Sequence, residues 1–330
     1  MTALVLLNPA AGGGRAARRR PALEAALRRA GLDAELVETT GPGHAEDAAR
    51  RAAGVGLVVA AGGDGTVREV VNGLAAHGPA TSGRGGPALG VVPLGTGDDY
   101  ARALGMPSDL DDAARALVAA PPVPVDVGEA AWTDDAGGHA VRFANCLGVG
   151  FDAETTALAR ETKWLGGRAA YLAAVARTLW TRRHRPARVW VDGAVLHDGP
   201  MLLCEVGNGP AVGGGILLTP GAAIDDGALD VCVARDMAPS RAAVLLPRAL
   251  RGGHVGAPEV AMGRGAAVEV EATGPGLAVQ ADGDVLTFSA RRVRADVLPG
   301  ALRVVAPALA GGAAGGRRGA RAVAEGEYDP

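Results

Sequence analysis

The chain has 330 residues, 48% of them hydrophobic and 21% charged, enough apolar material for a folded protein and enough length that two cores are expected before one. Its net charge of -3 excludes a general nucleic-acid binder, which needs a basic excess to neutralise phosphates. No window approaches the ~20 apolar residues of a membrane-spanning helix, and with Lys163 the only lysine, none is placed to serve a P-loop.

In chain order, residues 3–7 read as an apolar strand that runs into the turn Asn8-Pro9-Ala10-Ala11-Gly12-Gly13-Gly14. The opening MTALVLLNPAAGGG has no basic leader and too short an apolar run for a signal peptide, so a cytoplasmic, non-integral protein is expected. A helical pattern over 16–30 ends at Gly31. Residues 34–38, 56–61 and 88–92 then read as strands, and 45–53 and 66–76 as helices. This alternation predicts a Rossmann-like α/β domain with a parallel sheet over 1–122.

From Val123 the rhythm changes to glycine-punctuated, valine-rich runs, which predict a mainly β domain over 123–295. Residues 123–129 and 141–149 read as a hairpin around Asp134-Asp135-Ala136-Gly137-Gly138, and 188–195 alternates around Asp192-Gly193. Strands are expected at 202–206, 229–234, 268–271 and 277–281, with helices at 167–183 and 240–250. The last strands, 293–297 and 302–305, lead into 296–307 as a completion of the first domain, and 308–330 is poor in large apolar side chains and expected to be disordered. Cys146, Cys204 and Cys232 sit far apart in apolar runs, as reduced core thiols without metal-ligand spacing.

Three glycine-rich turns each follow a parallel-strand candidate: Asn8 to Gly14, Gly62-Gly63-Asp64-Gly65, and Pro93-Leu94-Gly95-Thr96-Gly97-Asp98-Asp99. Glycines bring backbone N–H groups close to a phosphate, and the carboxyl edge of such a sheet is where ligands collect. A lone glycine loop would equally be a tight turn; three together point to a nucleotide site. Thr66-Val67-Arg68-Glu69 is predicted to form a capping box at the helix start. Asp64 puts a carboxylate among the phosphates, which is tolerable when a divalent cation such as Mg²⁺ lies nearby.

These motifs, with Tyr100-Ala101-Arg102, Gly207-Asn208-Gly209, Gly213-Gly214-Gly215 and Asp225-Asp226-Gly227-Ala228-Leu229-Asp230-Val231, resemble the diacylglycerol kinase catalytic family in its soluble bacterial lipid-kinase branch, from about Leu4 to Val305. The resemblance implies a nucleotide cleft between an α/β domain and a β-sandwich domain, with ATP and Mg²⁺ as cofactors. It implies that Asn8, Pro9, Gly12, Gly13, Gly14, Thr39, Gly95, Thr96, Asp98 and Asp99 lie near the nucleotide, and that Gly62, Gly63, Asp64, Gly65, Thr66, Val67 and Arg68 cradle its phosphates. It also implies a second metal held by the Asp226 carboxylate and the carbonyls of Ala223 and Ala228; read alone, Asp-Asp-Gly before an apolar strand is an ordinary turn.

The sequence departs from the family pattern twice. Where the family ends its β domain in Asp-Gly-Glu, with the glutamate resembling a general base, Asp282-Gly283-Asp284 offers the shorter Asp284. Where the family usually has asparagine, Asp98 adds a charge that more metal or Arg102 must compensate. With Asp64 and Asp284 as the catalytic pair, the resemblance implies an ATP-dependent lipid kinase; the alternatives are an NAD kinase-like small-molecule kinase and a catalytically silent nucleotide- or lipid-binding protein.

The expected partners are a lipid at the inner face of the plasma membrane, anionic lipid by peripheral contact, and a second copy of the chain. Five arginines and two tryptophans between Arg177 and Trp190 fit a membrane-facing segment, and fit equally a helix end whose cations match its dipole.

Overall fold

The computed structural model describes residues 2–78, 86–161, 177–178 and 185–310. The chain forms two compact units, Met1–Asp126 with Pro299–Pro330, and Val127–Leu298.

The first unit runs β1 (Thr2–Leu7), α1 (Ala11–Arg29), β2 (Asp33–Glu38), α2 (His44–Arg50), β3 (Leu57–Gly62), α3 (Asp64–Leu74), β4 (Ala88–Pro93), α4 (Asp99–Ala103) and α5 (Leu110–Ala119). Its strands pair in parallel in the order β2-β1-β3-β4. Every residue of β3 and β4 is buried, which is why both read as unbroken apolar runs. Helix α3 turns Val67, Val70, Val71 and Leu74 inward, each burial worth about 2 kcal/mol. The chain steps from β1 to β2 on one side and then places β3 on the other side of β1, so the order reverses between β1 and β3. Ligands of open α/β sheets bind at such a switch point, beyond the carboxyl ends of the strands.

The second unit is antiparallel. It holds most of β5 (Pro122–Asp134), then β6 (Gly137–Phe143), β7 (Cys146–Gly150), α6 (Phe151–Glu161), β8 (Arg185–Val191), β9 (Ala194–Gly207) and β10 (Leu229–Arg235). There follow α7 (Pro239–Ala249), β11 (Val260–Gly265), β12 (Ala267–Ala272), β13 (Leu277–Ala281), β14 (Asp284–Ala290) and β15 (Arg292–Val305), whose part from Pro299 on belongs, with α8 (Pro307–Ala310), to the first unit. The sandwich closes on a core that includes Phe143, Leu147, Val206, Val231, Val270 and Val279. All three cysteines are free and buried.

Several expectations change. The run 141–149 is two strands, because the chain breaks at Ala144-Asn145 and β7 pairs with β9 and β13 instead of continuing the β5–β6 hairpin. The strands expected at 293–297 and 302–305 are one, β15, whose end pairs with β4 at Val304 and Leu89. Strands β11 and β14 were not expected. The helix expected at 167–183 and the tail beyond Ala310 lie outside the described residues, apart from 177–178.

Candidate active site

The three glycine turns of the first unit meet. Asn8, at the end of β1, gives its N–H to Ala61 O (3.0 Å) and its Nδ2 to Thr66 Oγ1 (3.0 Å). Leu94 N donates to Gly62 O at 3.0 Å, and Arg15 reaches back from α1 to Gly12 O (2.9 Å) and Gly95 O (3.3 Å). Thr39, after β2, donates its N–H to Leu7 O at 2.8 Å. Gly12, Gly13 and Gly14 all take left-handed backbone, φ 60°, 68° and 82°, which carries the chain from β1 into α1 without side chains in the way. A Cβ on Gly95 would lie 2.5 Å from Gly63 Cα, so the second and third turns touch through their backbones.

Carboxylates gather where the turns meet. Asp64, the first residue of α3, accepts a hydrogen bond from Tyr100 N at 3.1 Å, which joins the second turn to α4. Asp98 is left-handed, φ 53°, and accepts from Gly95 N at 2.9 Å. Burial pushes its carboxyl from an ordinary 3.8 up to about 6, against the pull of the Gly95 N–H and of Arg102. The guanidinium of Arg102 bonds to Asp99 at 2.5 Å, not to Asp98, so the compensation expected for Asp98 comes from the Gly95 N–H and, through charge alone, from Arg102 and Arg15.

Two sequence expectations fail locally. No side chain caps α3; Glu69 instead accepts from Gly43 N (2.9 Å) and Ala45 N (3.1 Å) at the start of α2, so tertiary contact replaces the predicted capping box. Val67 buries its side chain and gives its N–H to Gly63 O (3.1 Å), leaving it nothing to offer a phosphate. Gly62, Gly63 and Gly65 flank Asp64 at the turn, Arg68 lies half-buried on the first turns of α3, Pro9 is half-buried and Thr96 is exposed.

Asp284, Ala223, Asp226 and Ala228 belong to the second unit. Asp284 is half-buried and opens β14, directly after the turn Asp282-Gly283. That turn carries a residue whose role the sequence did not reveal. Asp282 is 3% exposed, and its carboxylate accepts from Ala144 N (2.7 Å), Asn145 N (2.9 Å) and Cys146 N (2.9 Å). The carbonyls there are used in turn, by Asn208 N and Gly209 N on Asn145 O (2.8 and 2.9 Å) and by Asn208 Nδ2 on Ala144 O (2.7 Å). Asp282 thus explains why the strand breaks at 144–145. Beside it, Asp152, Gln280 and Glu205 close around Gly148, where a Cβ would come within 2.5, 2.6 and 3.1 Å of them. Burial, with Glu205, Asp282 and Asp152 nearby, pushes the Cys146 thiol well above the usual thiol range.

The metal expectations divide. Asp226 accepts from Ala228 N at 3.1 Å and from Arg264 at 2.5 Å, and Arg264 also lies 3.6 Å from Asp230. Arg264 is shared between the two carboxylates, and burial with Asp226 nearby still pushes the Asp230 carboxyl up to about 6, so the guanidinium offsets the charge of this loop only in part. Among the described residues no three of His, Cys, Asp and Glu are grouped to hold a metal. Asp64 with its neighbours fits Mg²⁺ of another kind, an ion that takes one or two carboxylates and completes its shell with water and phosphate oxygens.

A parallel α/β unit with converging glycine turns at its switch point, followed by a β-sandwich, defines the kinases that share this two-part fold. Residues 2–130 match the diacylglycerol kinase catalytic domain, and 145–306 match the YegS C-terminal NAD kinase beta sandwich-like domain. A diacylglycerol kinase from Mycobacterium tuberculosis is 33% identical over 92% of this chain and 94% of its own. A "Probable lipid kinase YegS-like" from Pseudomonas aeruginosa is 37% identical over 78% of each chain. The crystal structure of a diacylglycerol kinase from Bacillus anthracis superposes with a TM-score of 0.72 at 27% identity, covering 93% of this chain and 98% of that one. The chain belongs to the diacylglycerol kinase family of lipid kinases and is a kinase.

Proposed function

We propose that this kinase transfers the γ-phosphoryl group of ATP to a hydroxyl of a diacylglycerol-like lipid. The observation that carries the reading is the meeting of three glycine turns at one strand edge with Asp64 bonded to α4, the helix that follows the third, an arrangement suited to phosphates and a cation. The first unit binds and orients: the turns present backbone around a triphosphate, Arg15 adds positive charge beside Gly12 and Gly95, and Asp64 would hold Mg²⁺. When bound, Mg²⁺ supplies neutralisation of phosphate charge. The second unit supplies the proton acceptor. Asp284 takes the proton of the lipid hydroxyl as its oxygen forms a bond to the γ-phosphorus and the bond to the β–γ bridging oxygen breaks, leaving ADP.

The test is to incubate the protein with labelled ATP, Mg²⁺ and a total lipid extract, and to identify the labelled product. A phosphorylated glycerolipid is expected. Label on NAD in a parallel reaction, with none on lipid, would overturn the reading.

A further inference from the structure

In the membrane-facing stretch expected from sequence, the two described arginines that continue into β8 are occupied. Arg185 donates to Gly276 O (2.7 Å) and Glu154 (3.1 Å), and Arg188 pairs with Asp198 at 2.7 Å while lying over Trp190. A different surface has the composition of an interfacial face. Helix α7 and the turns after it expose Val244 (54%), Leu250 (52%) and Val255 (46%), three of the six large apolar side chains exposed among the described residues. Exposed Arg248 and Arg251 stand among them, and neither joins an ion pair among the described residues.

The charge there is one-sided. From Met237 to Pro258 there are three arginines and no aspartate or glutamate, in a chain whose net charge is -3. Of the three, Arg241 alone is ion-paired among the described residues, to Glu259 at 2.7 and 3.1 Å, while Arg248 feels the same carboxylate at longer range. The opposite face of α7 is fixed to the sandwich, with Ala242 and Leu245 buried against Phe151 and Leu203. Unpaired arginines around projecting aliphatic side chains fit a surface that is negative outside and apolar beneath. An anionic bilayer has that profile; an acidic protein surface offers the charge without the hydrocarbon.

The face also connects to the site. Ala249 O accepts from Leu217 N (3.0 Å), and His254 Nε2 lies 3.1 Å from Leu218 O, so the end of α7 holds the loop that begins at Asn208. Asn208 is bonded to the 144–145 turn gripped by Asp282, two residues before Asp284. We propose that the Val244–Val255 face of α7 docks this kinase on an anionic bilayer and brings that loop to the lipid surface. The inference rests on the lipid-kinase reading for its purpose but not for its test.

The test is cosedimentation of the full chain with phosphatidylcholine vesicles, with and without about 30 mol% phosphatidylglycerol, at about 0.1 M salt. Wild-type protein should prefer the anionic vesicles. The pair Arg248→Gln and Arg251→Gln should weaken that binding roughly 30-fold, since each arginine at such a surface is worth about a factor of five. Val244→Ser with Leu250→Ser should weaken binding to both vesicle types several-fold. Melting temperature and turnover on a soluble short-chain diacylglycerol should stay at wild-type values. Binding indifferent to phosphatidylglycerol, or unchanged in both double variants, would overturn the proposal. So would a concentration-dependent dimer dissolved by the Val244 and Leu250 changes, since a second copy would then cover the face. If short-chain turnover is absent while anionic binding follows the variants, the lipid-kinase reading fails and the docking face stands.

Discussion

Asp192-Gly193 and Asp282-Gly283 turn their hairpins with nearly the same backbone, φ 48° and 81° at the first and 47° and 81° at the second. Both aspartates also cap neighbouring backbone. Asp192 accepts from Ala266 N (3.0 Å) and Ala267 N (2.9 Å) at an exposed edge, whereas Asp282 accepts three N–H groups while almost wholly buried. Water can replace the bonds of the first turn and cannot reach those of the second. The same dipeptide is a hairpin device in one place and the support of the proposed catalytic position in the other, and the difference lies in what packs over it.

Function should separate the two turns most sharply. Asp284→Asn, one residue past the buried turn, should lower turnover on the order of 10²–10⁴-fold with nucleotide binding retained, read from labelled-ATP turnover and a nucleotide titration. Undiminished turnover would remove Asp284 from the mechanism and leave the buried turn a support with nothing to position. Asp282→Asn should cost about 3 kcal/mol in a denaturant melt, because an amide cannot accept three N–H bonds as the carboxylate does. A loss no larger than that at Asp192 would break the comparison.

In the first unit, Gly95→Ala should cost about 1–3 kcal/mol and weaken nucleotide binding, because the new methyl meets Gly63 Cα at 2.5 Å. Asp98 gives a pH readout. Its folded value of about 6 lies above its ordinary 3.8, so between those values the folded chain holds more protons than the unfolded one and stability falls as pH rises. Asp98→Asn should flatten that slope in metal-free buffer and raise the melting temperature at neutral pH. Asp192→Ala should have the smallest effect, about 1 kcal/mol with turnover unchanged.

Much of this architecture was legible in the sequence for reasons that can be named. Strands β1, β3 and β4 are buried on both faces and announce themselves as apolar runs, and each glycine turn follows one directly. Strand β11 was not legible, because its side chains are mostly half-exposed and carry no clean alternation. Glu69 fitted a local rule and obeyed a tertiary one, reaching backbone 24 and 26 residues away. Asp282 could not be assigned from sequence because its partners lie 136 to 138 residues earlier. Asp226 was expected to hold a metal with two backbone carbonyls, and what the sequence could not show is that Arg264, 38 residues on, also bonds its carboxylate.

The backbone contact between Gly95 and Gly63 sets how freely this chain can vary. In a saturation library selected for growth or turnover, position 95 should return almost nothing but its original codon family, while Thr96, one step along the same turn and facing solvent, should accept most of the alphabet. Such an abrupt boundary between neighbouring codons would map where two turns touch, without any ligand being added.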